Sequence, residues 1–549
     1  MERIVAPKVG TAVPYPLPVY QEFSIVRWAK LDRRYWLPGF RALPEQRITF
    51  PAMSLNSTVP STRWSSRIPP AVLACGLLLA LVQFLHGRSL WVDEAMLALN
   101  IVTRDPLGLL RPLDNDQVAP ILFLLLEKAF SSLVPNSEYG LRILPLLCYA
   151  AGAFAFFRIV LHLFQHVAIQ VLALSLFAFN TNLIFYASEV KQYMGDFAVC
   201  CVIFWWTLEY TTDRRGLHRL GAVSLVAIWF SSVTPIIVLS AFGYVLHHRW
   251  REGGNDRAWI RPMLLWCVAW CIMFLLYYAS VVHDHPTRAL MQRFWLDANG
   301  LLPNDPFTVR FYSALWDRAH HVFTLLLPYG VKNIYPLPLF WLIGCFGLAF
   351  SGPRRLLLLF LLPVVVHLLL AILHVYPFET RMLLYLIPCF IVVAAYGVQL
   401  ILQRWPKLDA LARRPLALIL IPIVLAYPFL RKGFPRGKQE IKPCLAYIAE
   451  HAEPADVVYV DIGAKPAFTY YALIGKFDLP GTVRFAPARD DPEQYLADAL
   501  SQHGPTWFVF THMRKRDSNS IIAALEKKGL TPTDQCVARS GYAYRYQLP

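Results

Sequence analysis

The sequence predicts an α-helical polytopic membrane protein with about eleven transmembrane helices and a small extracytoplasmic C-terminal α/β domain. Three observations predict it. The 549 residues are 56% hydrophobic and only 16% charged, where soluble domains carry about 25% charged residues. The apolar residues gather in runs of bilayer length with basic residues between them. From about residue 439 the pattern changes to period-2 apolar runs alternating with helical ones, as βαβ units require.

Residues 1–67 are rich in Pro and Arg and hold no long apolar run. They read as a poorly ordered cytoplasmic arm and not as a signal peptide. Met1 and Met53 both stand open as the start of the chain. Helices are expected at 68–87, 141–161, 167–186, 193–211, 218–232, 234–248, 262–282, 338–351, 356–375, 381–402 and 415–430, which with their connections make a transmembrane domain over 68–430. Several of these fall short of the roughly 20 residues that span a bilayer, above all around 218–248 and 338–351. Ser231, Ser232, Thr234 and Pro235 supply a turn that splits one apolar region into a hairpin.

With the N-terminus inside, alternate loops are cytoplasmic. They hold Arg158; Arg214, Arg215 and Arg219; Arg249, Arg251, Arg257 and Arg261; Arg354 and Arg355; and Arg404, Lys407, Arg413 and Arg414. The short turns at 187–192, 233 and 376–380 are poor in basic residues, so every short loop obeys the positive-inside rule. The outer side then carries the 88–140 loop, the 283–337 loop and the tail 431–549. Segments 118–134 and 307–327 mix apolar residues with charges and read as helices lying in the membrane interface. In the tail, strands fit Val457–Asp461, Trp507–Thr511 and Tyr542–Gln547. Helices fit 440–451, 464–475, 492–503 and 518–529. The tail has no phosphate-binding loop and no Gly-rich dinucleotide fingerprint.

The net charge of +16 is explained by these loops. Nucleic acid is excluded as a partner, because no basic face with base-stacking aromatics is present; membrane lipids are the surroundings. Of ten cysteines, Cys75, Cys148, Cys200, Cys201, Cys267, Cys271, Cys345 and Cys389 lie in apolar segments, where Cys acts as a small buried hydrophobe. Cys444 and Cys536 lie in the tail, either as a disulfide or as two free thiols.

The polar motifs follow. Asp93 and Glu94, in Ser89-Leu90-Trp91-Val92-Asp93-Glu94-Ala95, stand directly after the first helix. Two adjacent carboxylates there need a partner, a metal or a task. Asp93 suits a general base; a helix-start cap is the plainer reading. The turn Tyr186–Tyr193 brings Glu189, Lys191 and Tyr193, with Asp196 one turn into an apolar run. Lys191 can neutralise a phosphate as a point charge, or the turn is simply solvated. Tyr376-Pro377-Phe378-Glu379-Thr380-Arg381 opens another helix. The Arg381 fork at a helix N-terminus suits a phosphate, or else it snorkels to the interface. Asp114 and Asp116 precede the first interfacial helix, where solvation suffices to explain them. His283 and His285 have a spacing that fits a divalent metal, but two histidines do not make a site. The three main motifs are distant in sequence yet fall on one side of the membrane, which favours a shared site.

These residues resemble the GT-C superfamily of membrane glycosyltransferases, whose hallmarks include an Asp-Glu pair after the first helix, interfacial helices in the first outer loop and an outer terminal domain. Within it, the chain is similar to the glycosyltransferase family 39-like branch, related to dolichyl-phosphate-mannose–protein mannosyltransferases and to aminoarabinose transferases that modify lipid A. The resemblance covers about 68–430, and more loosely the tail, and is best at Leu90–Ala95, Val118–Leu126, Ser137–Pro145, Tyr186–Asp196 and Tyr376–Pro388. It implies a sugar donor on a polyprenyl phosphate, a hydroxyl acceptor on a lipid, glycan or protein, and inversion at the anomeric carbon. It puts the base on Asp93 with Glu94 beside it, and the donor phosphate on Arg381 and Lys191. Tyr376 and Glu379 belong to the same candidate site. Relatives often carry a basic residue or His with two prolines ahead of the interfacial helix. Here Gln117-Val118-Ala119-Pro120 stands instead, so a phosphate contact from that helix is not implied. Some relatives bind a divalent metal; no cofactor is otherwise expected. The expected location is a bacterial inner membrane. Two rival classes stay open: a polyprenyl-lipid transporter or flippase, and a non-catalytic envelope-assembly protein. Charges are scarce at mid-membrane, which weighs against the first. The presence of Asp93 and Glu94 weighs against the second.

Overall fold

Apolar length decides the architecture from residue 68 to about residue 430. The computed structural model describes residues 65–549 except 211–212, 252–256, 284–287, 299, 328–335, 432, 480–481, 488–491 and 512–517. The N-terminal arm, both candidate starts and His285 lie outside the described residues, as does the side chain of His283.

The chain begins with α1 (Ile68–Leu85), then α2 (Val92–Thr103) and α3 (Ile121–Leu133) in the first large loop. The bundle continues with α4 (Ile143–Leu163), α5 (Val167–Ala178), α6 (Thr181–Tyr186), α7 (Tyr193–Tyr210), α8 (Arg214–Phe230), α9 (Thr234–Arg251) and α10 (Arg257–Tyr277). The second large loop carries α11 (Arg288–Asp297) and α12 (Val309–Leu325). Then come α13 (Pro336–Phe350), α14 (Arg355–Phe360), α15 (Leu362–Ile372), α16 (Ile387–Arg404), α17 (Pro406–Ala412) and α18 (Pro415–Arg431). Each apolar segment expected from the sequence is helical. By length and composition four described helical stretches can cross a membrane: Ser65–Leu85, Gly140–Leu163, Trp259–Val281 and Thr380–Arg404; a bent pair, Pro406–Ala412 with Pro415–Tyr427, makes a fifth.

The departures from the expected helices have local causes. The 167–186 segment breaks because Asn180 caps a new helix, its Oδ1 accepting from the Asn182 and Leu183 N–H groups. Its Nδ2 donates to the Leu325 carbonyl at 2.7 Å, so the break is also a joint between segments. The 356–375 segment breaks at Leu361, just before Pro363, which lacks the N–H needed to continue a helix. Thr380–Leu386 is a 3-10 turn running into α16, where Pro388 has the same effect. The expected hairpin between α8 and α9 is present, with Thr234 Oγ1 donating to the Ala227 and Ser231 carbonyls.

Small residues let α13 and α16 touch backbone to backbone. A Cβ on Gly397 would sit 1.9 Å from the Phe340 carbonyl oxygen, and one on Gly344 2.0 Å from that of Val393. Such close approach is how helices associate where lipid removes the hydrophobic drive. Elsewhere apolar side chains face outward, as lipid demands: along α10, Leu264, Leu265, Val268, Ile272 and Leu275 are all exposed. Cysteines follow the same rule. Cys148, Cys200, Cys201 and Cys389 are buried, but Cys75, Cys267 and Cys271 are exposed; they need no protein core, because their outward surroundings are apolar too.

The tail folds as α19 (Lys442–His451), α20 (Lys465–Leu473), α21 (Pro492–Leu500) and α22 (Ser518–Lys527) around a five-stranded sheet. The strands are β1 (Val457–Val460), β2 (Thr482–Phe485), β3 (Gly504–Thr511), β4 (Asp534–Ala538) and β5 (Gly541–Leu548), in the order β2-β1-β3-β5-β4. β1 runs parallel to β2 and β3, while β5 runs antiparallel to β3 and β4. Expected from the sequence were β1, β3 and β5. The edge strand β2 exposes every side chain and β4 buries none of its own, so neither presents a buried apolar face. Cys444 and Cys536 are free thiols in contact range, the Cys444 Sγ lying 3.8 Å from the Cys536 carbonyl oxygen.

Candidate functional site

Asp93 and Glu94 occupy the first turn of α2, where free backbone N–H groups favour carboxylates. Successive helix residues point about 100° apart, so the two acids face different surroundings. Glu94 is wholly buried. Its Oε2 accepts from Arg88 Nη1 at 2.5 Å, both oxygens accept from Arg142 Nη2 at 3.2 Å, and Oε1 accepts from the Val190 N–H at 3.0 Å. Burial pushes its carboxyl up, but Arg142, Arg88 and the Val190 N–H outweigh this and hold it below the ordinary range. Glu189 shares the pocket, with Arg88 Nη2 3.6 Å away, and neither carboxyl oxygen accepts a hydrogen bond. Burial and the Glu94 charge push it up. Arg88 also donates to the Ser188 carbonyl, and Arg142 to that of Arg88. This buried cluster ties together residues 88–94, 142 and 188–190.

Asp93 turns the other way and stays partly exposed. Arg381 Nη1 donates to its Oδ2 at 2.5 Å. The Arg381 guanidinium carbon lies 5.9 Å from the Trp91 ring centroid and 5.4 Å from that of Trp295. Lys191, nearly buried, donates from Nζ to Gln117 Oε1 at 2.5 Å. A third cation comes from the segment leading to the C-terminal domain: Lys438 Nζ is 2.9 Å from the Trp91 ring centroid. Burial raises Asp93, yet Lys191, Arg381 and Lys438 together hold it below its ordinary value. Lys191 is brought down to about 8 by burial, with Asp93 opposing and Arg381 assisting. Beside Gln117 opens a cavity of about 230 Å³ with a mixed lining that includes Leu109, Arg111, Leu113, Leu124, Ser280 and Val281.

The structure thus brings Asp93, Arg381 and Lys191 together, with Glu94 and Glu189 buried behind them. Tyr193 packs edge-on against Tyr186, with ring centroids 5.5 Å apart, beneath this group. The other candidates point elsewhere. Asp196 accepts from Ser231 Oγ at 2.6 Å. Glu379 pairs with Arg318 at 2.5 Å and accepts from Thr380 Oγ1. The Tyr376 hydroxyl faces Met382 Sδ. Asp114 is mostly exposed and paired with Arg104 at 2.8 Å; Asp116 is exposed. Among the described residues no three His, Cys, Asp or Glu stand together to hold a metal.

Sequence reasoning missed Arg88, Arg142 and Lys438, and it met Gln117 only as a departure from the relatives' pattern, not as the partner of Lys191. The first two had a signal, since a carboxylate in an apolar setting calls for cations and Arg88 lies six residues from Glu94. Lys438 had none, because a linker sequence does not say which loop it crosses.

No protein-family model matches the chain, and no curated protein sequence matches it. Among solved structures, it is similar to ArnT from Cupriavidus metallidurans bound to undecaprenyl phosphate. Identity is 10% and the TM-score 0.48, over 88% of this chain and 98% of that one. The apo state of the same protein matches at 13% identity and TM-score 0.38, over 88% and 97%. An Archaeoglobus fulgidus oligosaccharyltransferase in complex with Zn and sulfate matches at 12% and 0.45, over 87% and 74%. At TM-scores below 0.5 these likenesses assign neither family nor activity to the chain.

Proposed function

We propose that the protein is an integral membrane glycosyltransferase. It moves a sugar from a polyprenyl-phosphate donor to an acceptor hydroxyl on the outer side of the membrane, with inversion. The observation that carries this reading is the juxtaposition of one partly exposed carboxylate, Asp93, with Arg381 and Lys191 at the edge of an apolar helical bundle. A hydroxyl nucleophile needs a base, and a departing phosphate needs fixed positive charge. Asp93 takes the acceptor proton as the acceptor oxygen bonds to the anomeric carbon. The bond to the phosphate oxygen breaks with its electron pair, and Arg381 and Lys191 meet the charge that gathers there.

Without donor, Arg381 occupies Asp93 and weakens it as a base. A phosphate competes for the guanidinium, frees the carboxylate and raises its basicity, so the base is activated only when donor is present. Glu94 touches no substrate; it is a positioning residue that holds the Asp93 loop through Arg88 and Arg142. The charge pattern of the loops supports a cytoplasmic N-terminus and an outer C-terminal domain, and the membrane we propose is a bacterial inner membrane.

The test is sugar transfer from radiolabelled polyprenyl-phosphate sugars to a membrane extract, comparing wild type with Asp93→Asn at equal expression. Transfer by wild type, lost in the variant, is expected. Equal transfer by both removes Asp93 from the chemistry, and no transfer from any donor overturns the reading.

A further inference from the structure

We propose that Lys438 is a third ligand of the donor phosphate, so that the segment entering the C-terminal domain completes the membrane site. The inference rests on the donor-phosphate reading of Arg381 and Lys191, and it adds a residue from a different part of the chain.

The segment after α18 returns across the start of α2. Gln83, buried in α1, donates to the Arg436 carbonyl at 2.8 Å and accepts from its N–H at 2.9 Å. Gln439 Oε1 accepts from the Val92 N–H at 3.2 Å. Glu440 Oε2 accepts from the Ser89 N–H and Oγ at 3.0 and 2.9 Å. Residues on both sides of Lys438 are therefore pinned to the bundle, one of them to the residue next to Asp93. Lys438 cannot swing freely between them. Its ammonium is held against the Trp91 indole, the same ring that Arg381 flanks. A cation on an aromatic face keeps its charge and remains able to donate to an anion. Trp91 is itself buried, so the indole is a fixed wall that aims two cations.

Charge balance gives the third cation a purpose. A sugar joined to a polyprenyl phosphate is a phosphodiester with one negative charge. When the glycosidic bond breaks, the leaving phosphate becomes a monoester with up to two. Over the same step Asp93 goes from one negative charge to none. Negative charge thus moves from Asp93 to the phosphate without changing in total. Two cations match the two negative charges present at each end of the reaction. The third makes the site net positive, and because it flanks the same Trp91 ring as Arg381 its charge adds to that of Arg381 where the phosphate gains its second negative charge. The prediction is that Lys438 acts on turnover and on binding of the leaving phosphate more than on donor KM.

The experiment measures binding of a polyprenyl monophosphate to the full-length protein in detergent, for wild type, Lys438→Gln, Lys438→Arg, Arg381→Gln and the remote Lys528→Gln. Ligand-free melting temperatures are recorded for each. Lys438→Gln is expected to bind about tenfold more weakly at an unchanged melting temperature. Lys438→Arg should restore most of the affinity, and Lys528→Gln should match wild type. Wild-type affinity in Lys438→Gln, with binding lost in Arg381→Gln, overturns the role of Lys438 and leaves the donor-phosphate reading standing. Weak binding with a lowered melting temperature and no rescue by Arg also overturns it, as a merely structural effect. A wild-type protein that does not bind the lipid phosphate removes both readings at once.

Discussion

Arg381 donates to Asp93 at 2.5 Å across 288 residues of sequence. The pair sets opposite expectations for its two members. Asp93→Asn removes the base and should lower transfer by about 10²–10⁴-fold. The amide competes less for the guanidinium, so polyprenyl monophosphate should bind as well as to wild type or better. Arg381→Gln should lose both transfer and binding. Parallel assays of turnover and lipid binding separate the cases, and weakened lipid binding in Asp93→Asn would contradict the competition between carboxylate and phosphate.

The alkaline limb of activity should belong to Lys191. Burial brings its ammonium down to about 8, so it is charged below that pH and neutral above it. Donor affinity should therefore be greatest below about pH 8 and fall as pH rises through it. Asp93, held below its ordinary range, remains a carboxylate throughout and adds no limb there. Lys191→Arg should move the fall upward, because guanidinium stays charged over this interval. Donor KM measured over roughly pH 7 to 9.5 tests this; a flat wild-type profile would exclude Lys191 from phosphate binding.

Glu94 should matter to stability before it matters to chemistry. Glu94→Gln leaves Arg88 and Arg142, both wholly buried, facing a neutral amide, with the Glu189 carboxyl 3.6 Å from Arg88 as a partial substitute. Removing one partner from a buried ionic cluster costs about 3–5 kcal/mol. The expected result is a clear drop in melting temperature in detergent, whereas Asp93→Asn leaves it near wild type. A Glu94→Gln protein of normal stability but no activity would give Glu94 a direct part in the reaction.

The helical bundle was legible because a bilayer dictates apolar length segment by segment. Its breaks were not. The break at Asn180 depends on a cap that also reaches Leu325, and long-range contacts leave no periodicity. The edge strands β2 and β4 escaped for a related reason, since they are only four and five residues long and bury no side chain, too short for an alternation to stand out. In the site, Asp93, Lys191 and Arg381 stood out because charge beside a membrane segment needs a cause. Their spatial relation was foreshadowed only by the shared side that the basic loops imply. Glu94 looked like a twin of Asp93 in sequence. The helical turn separates them, one toward the surface and one into a cage of two arginines.

The loop that carries Asp93 is held from outside the bundle, and Tyr471 offers the cleanest test of that support. Its hydroxyl accepts from the Leu90 N–H at 2.8 Å, and both residues are buried. Tyr471→Phe keeps the ring and its packing but leaves that N–H without an acceptor, at about 1–3 kcal/mol. Melting temperature should fall modestly. Turnover should fall further, because Leu90 lies three residues before Asp93 and a shift of about 1 Å at a reacting group costs up to about 10²-fold. Donor binding should change less, since Arg381 and Lys191 are anchored elsewhere. A variant with lower stability and unchanged turnover would mean that the Glu94 cluster with Gln439 and Glu440 keeps Asp93 in place without Tyr471, and that the C-terminal helix α20 braces the fold without aligning the base.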